Sequence, residues 1–121
     1  RPPAWLNEGL PRVMAASAVP TAGMDNELRK RGLAALRSGA NFDAVLAAGY
    51  GEGIWERDPE LAHSLAYLFS AWLVEQNLGR TMQYAHGPRI AESEPERFAR
   101  VMGVSIRDAQ SRAVRWYQVN D

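Results

Sequence analysis

Cysteine is absent from the 121 residues, which removes disulfides, thiolate-bound zinc, iron–sulfur clusters and thiol nucleophiles together. Lysine is nearly absent as well. Lys30 is the only one, so arginine carries almost all the positive charge. An excess of either sign is also missing, with 14 basic residues facing 14 acidic ones. A balanced chain sets up no field that would draw nucleic acid or an anionic membrane surface, and neither is expected as a partner. No apolar run reaches the roughly 20 residues of a membrane-spanning helix. The longest, Leu61 to Val74, is broken by His63, Ser64 and Ser70. No apolar stretch follows Arg1-Pro2-Pro3, so no signal peptide is read there, and the abrupt start suggests a longer parent polypeptide. The compartment stays open.

What is present is helical. β-branched alternation is scarce, whereas apolar residues recur at helical spacing between good caps. With 46% hydrophobic and 23% charged residues, positions 1–121 are expected to form one globular domain. A first helix runs from Ala4 to about Ala18, kinked or restarted at Pro11. Asp25 caps a second, with Leu28, Leu33 and Leu36 on one face and Gly39 closing it. Asn41 caps a short third helix with Phe42, Val45 and Leu46, and a loop of Gly49, Gly51 and Gly53 then leads to Ile54 and Trp55. The central helix opens on Asp58-Pro59-Glu60 and stops at Gly79. A short helix from Thr81 ends at Gly87-Pro88. Ser93 and Glu96 form a capping box for a helix that Gly103 ends. Ser105 and Asp108 open the last one, whose core stripe is Ile106, Ala109, Ala113 and Trp116. The expected fold is all-α, a compact array of six or seven helices.

Trp5-Leu6-Asn7-Glu8-Gly9-Leu10 stands out. It resembles the W-x-N-E-G-[FL] segment of gluzincin zinc metallopeptidases, in particular their peptidase MA-like branch. Two further stretches resemble that group. Tyr67 to Gly79 is similar to its Y-x-x-[SG] helix, and Phe98 to Ile106, continuing to Trp116, is similar to a terminal helix pair. The resemblance covers the C-terminal helical half of such an enzyme. It implies that Glu8 is the third zinc ligand, that Tyr67 donates to the tetrahedral oxyanion, and that the substrate is a peptide. The family's other two ligands come from an H-E-x-x-H helix, which these 121 residues lack; His63 and His86 are the only histidines. One carboxylate does not hold zinc against water, so the chain alone is expected to be inactive and to carry no cofactor, zinc entering only with the H-E-x-x-H half.

Each residue also has a plainer reading. Glu8 suits the positive end of a helix dipole, Tyr67 suits a core helix, and His63 and His86 read as a half-buried helix residue and a helix end. The four tryptophans read as core. A silent helical interaction domain is therefore the alternative. The third reading is a helix-turn-helix DNA module around Ala99, Gly103 and Ser105, but Ile106 and Arg112 have the reverse of the polarity it needs. If half of a peptidase domain is missing, the N-terminal and central helices should bare apolar side chains and self-associate. In the enzyme-like arrangement Glu8 and Tyr67 should face one concavity.

Overall fold

The computed structural model describes residues 2–18 and 22–120. Among them every regular element is a helix: α1 (Ala4–Ala18), α2 (Ala22–Arg37), α3 (Asp43–Ala47), α4 (Ile54–Arg57), α5 (Pro59–Gln76), α6 (Leu78–His86), α7 (Glu94–Met102) and α8 (Ile106–Asn120). The domain is all-α, as expected. The element beyond the expected six or seven is α4, a single turn that holds Ile54 and Trp55 in the core. None of these helices is long and apolar enough to cross a membrane.

The array is organised around α5. Its apolar positions surround most of its circumference, with Leu65, Leu68, Phe69, Trp72 and Leu73 all buried, and α1, α2, α3, α4, α6 and α8 pack on it. Two glycines let neighbours approach closely. A Cβ on Gly9 of α1 would lie 2.4 Å from both the Ala66 carbonyl oxygen and Ser70 Oγ, and one on Gly32 of α2 would lie 2.5 Å from Leu68 Cδ1. The main core is continuous with an aromatic group of Trp5, Phe42, Phe69, Tyr84 and Phe98.

The caps explain most boundaries. Asp58 accepts from the Leu61 N–H at 3.2 Å with Pro59 behind it, and Ser93 with Glu96 completes the capping box. Gly103 ends α7 in the left-handed region. Gly39 closes α2 through paired bonds, Gly39 N–H to Leu36 and Ala40 N–H to Ala35, at a φ of 97°.

Several boundaries differ from expectation for identifiable reasons. The first helix does not restart at Pro11, and α1 continues through it. Pro11 and Asn7, whose carbonyl loses its usual donor, both lie on the exposed side where water can replace the bond. The second helix begins before Asp25, whose side chain lies outside the described residues. Asn41 forms a turn, accepting from the Asp43 N–H at 2.9 Å, and leaves Phe42 to precede α3. Gly79 is not the stop of α5. Extended Asn77 ends α5 and caps α6 by accepting from the Arg80 N–H at 2.9 Å, so Gly79 falls inside α6, which starts at Leu78 rather than at Thr81. On α8 the buried stripe is Ala109, Ala113 and Tyr117. Trp116 flanks it half-buried, and the Tyr117 hydroxyl donates to the Leu68 carbonyl at 2.6 Å.

Candidate functional site

The segment Trp5–Leu10 divides cleanly by its helical geometry. Trp5, Leu6, Gly9 and Leu10 face inward and are buried. Trp5 meets the edge of Phe69 at 5.1 Å and stacks on Tyr84 at 6.2 Å. Asn7 faces solvent, and Glu8 stands half-buried at the border. The apolar part of the motif therefore has a packing role, and the N-terminal helix does not present Trp5 and Leu6 as a bare face: they are only 1% and 2% exposed. Among the described residues the large apolar side chains left exposed are Tyr50, Leu78, Ile90 and Val119, on separate elements.

Glu8 reaches two elements. Its Oε2 accepts a hydrogen bond of 2.8 Å from the Tyr50 hydroxyl, which comes from the loop between α3 and α4. Its Oε1 lies 3.8 Å from His63 Nδ1, on the second turn of α5. That nitrogen is buried and has no hydrogen-bond partner among the described residues. Trp55 of α4 meets the His63 ring edge-on at 5.1 Å and lies 6.2 Å from the Tyr50 ring. A carboxylate, an imidazole, a phenol and an indole thus gather where α1 crosses α5. Tyr67 lies one turn beyond His63 on α5, along the same stripe, half-buried against the core. His86 is the exposed last residue of α6 and takes no part.

Zinc held by protein needs three ligands and an open position. Glu8 and His63 offer two donors, and among the described residues no group of three His, Asp or Glu side chains converges.

Motif reading missed Tyr50 and Trp55 as neighbours of Glu8. The only available signal was the glycine spacing, which marks a chain able to fold back but not where its tyrosine lands. It also missed Arg97, which is 2% exposed. Its guanidinium donates to the carbonyls of Tyr84 and Pro88 at 2.8 Å each and lies over the Tyr84 ring, 5.4 Å from its centre. The Tyr84 hydroxyl donates to Glu94 at 2.9 Å, and Glu94 also pairs with Arg89. Burial first, and then the Glu94 charge, push the Tyr84 phenol well above its usual range. At the α7–α8 corner Ile106 packs against the core while Arg112 is exposed, the polarity already evident from the sequence.

Compared with protein-family models, with curated proteins and with solved structures, the chain matches none.

Proposed function

We propose that this domain is the helical half of a zinc-peptidase-type site, with Glu8 as its third-ligand carboxylate and Tyr67 as its oxyanion donor. An H-E-x-x-H helix is needed to complete it, and a peptide is then the substrate. Without that helix the chain is catalytically silent. The observation that carries this reading is the state of Glu8. In a segment whose other inward residues are consumed by packing, its carboxylate is held half-buried, by a phenol 42 residues away, beside an imidazole. An ordinary glutamate near a helix start would gain from the dipole without ordering a distant loop.

The test uses metal analysis. After dialysis against EDTA and then against zinc, the 121-residue chain should retain no zinc and cleave no peptide. Mixed with a synthetic helical peptide bearing H-E-x-x-H, it should retain stoichiometric zinc, and the Glu8→Ala variant should not. Tight zinc in the chain alone, or equal retention by Glu8→Ala, overturns the reading.

A silent interaction domain is the second reading. It is favoured by an apolar groove of about 420 Å³ between α1 and α6, lined by Leu6, Leu10, Met14, Met82 and Ala85. Self-association through that groove should appear as concentration-dependent sedimentation that Met14→Glu abolishes.

A further inference from the structure

Tyr50 is half-exposed, at 51%, yet its phenol is tied to Glu8 across 2.8 Å. It sits on a five-residue span, 49–53, between α3 and α4, in which Gly51 and Gly53 have φ of 74° and 54°. Those left-handed conformations favour glycine, so the fold-back is written into the glycines. The span is braced by Glu52, whose carboxylate accepts from the Gly49 N–H at 2.8 Å. It is anchored at its far end by buried Trp55, which touches His63. The Tyr50 phenol is thus brought to Glu8 by the loop, with its ring beside Trp55, which in turn meets His63.

We propose that Tyr50 is a positioning residue for Glu8, carried on a glycine-hinged strap that holds one carboxylate oxygen and so orients the other. With Oε2 held by the phenol, the carboxylate plane is set and Oε1 is kept beside His63. The importance of Glu8 rests on the function proposed above; the contact between strap and carboxylate does not.

The experiment follows two signals in the full chain: amide hydrogen exchange across 49–53 and the carboxylate ¹³C shift of Glu8. Tyr50→Phe keeps the ring and removes only the donor. It should speed exchange in the span about tenfold, which corresponds to about 1.4 kcal/mol, and it should move the Glu8 signal while leaving the melting temperature unchanged. Glu8→Ala should speed exchange equally, and the double variant no further. Tyr67→Phe should move neither signal. The proposal is overturned if Tyr50→Phe leaves both signals in place, or if Tyr67→Phe is the change that moves Glu8. Neither measurement uses zinc, so failure of the zinc reading and failure of the strap are separately visible.

Discussion

The α1–α5 crossing and the α6–α7 corner are both tightly buried, but they are built by different physics. At the crossing, a missing side chain makes the contact: Gly9 brings the α1 backbone against Ala66 and Ser70, and apolar neighbours fill in around it. At the corner, a long polar side chain makes it. The Tyr84 carbonyl lies in the last turn of α6, where the chain has left the helix at Gly87 and no backbone donor follows, and Arg97 supplies one instead. Shape holds the first region and hydrogen bonding holds the second. The candidate site lies on the first, where a steric seam fixes the α1 backbone and leaves Glu8 free to be oriented by a loop.

Steric seams should be the less forgiving. Gly9→Ala places a methyl within 2.4 Å of a backbone oxygen that cannot rotate away. It should cost about 3 kcal/mol, the upper range for overpacking, measured by urea denaturation. Gly39→Ala has open space around it and pays only for its positive φ, about 1 kcal/mol. Equal losses for the two would mean that α1 shifts freely on α5 and that the seam does not fix Glu8. Arg97→Met should come between them, at about 2 kcal/mol, because it leaves buried carbonyls unsatisfied while keeping most of the volume. Arg97→Lys should not rescue it, since one ammonium does not span carbonyls that the guanidinium fork reaches together.

The same contrast explains what could be read from the sequence. Local devices were legible: the Asp58-Pro59 start, the Ser93/Glu96 box and the glycine ends at Gly39 and Gly103 each involve residues within a few positions of one another. Asn77 was missed because Gly79 is a commoner stop, although an extended asparagine can end one helix and cap the next. Trp116 and Tyr117 both continue the stripe from Ala113, at three and four residues, so spacing alone does not separate them. The helical repeat from Ala109 and Ala113 leads to Tyr117, and its hydroxyl finds a carbonyl on α5. Of the site, Glu8 was visible through its neighbours in sequence. Tyr50, His63 and Trp55 join it only through tertiary closure, which no local spacing encodes.

Titration separates the two regions further. A phenol whose folded-state pKa lies above its unfolded value keeps its proton longer when folded. Its contribution is whole below the unfolded value of 10.0 and is lost as pH rises beyond it. The corner should therefore weaken from pH 10 upward through Tyr84, whereas the close contact of Gly9 with Ala66 and Ser70 is made by groups that do not titrate. Tyr84→Phe should lower stability by about 1 kcal/mol at neutral pH, for the bond to Glu94, and should flatten the alkaline limb. Absorbance of tyrosinate against pH, followed alongside unfolding, checks it. An unchanged alkaline limb would remove Tyr84 as the source.

The smallest effect lies on the acid side and concerns the same corner. Glu96 is held below the usual carboxylate range by the Ser93 backbone N–H and then by the Ser93 hydroxyl, and Glu92 by its hydrogen bonds to Arg100. Their folded-state values are lowered, so their help is present above the ordinary value of 4.5 and is lost as pH falls through the folded-state values. Glu96 is exposed, and Glu92, though partly covered, pairs with an exposed Arg100 at the surface, so solvent screens both and the global melting temperature should barely move. The local signature should be clear all the same. From pH 4.5 downward, amides in the first turn of α7 should lose exchange protection, after allowance for the intrinsic pH dependence of exchange, while those flanking Gly9 keep theirs. Ser93→Ala should produce the same fraying at neutral pH, because it removes the hydroxyl half of the capping box. If protection falls evenly across both regions instead, the corner is no more dependent on charge than the seam, and the division between a shape-held and a bond-held half of the domain fails.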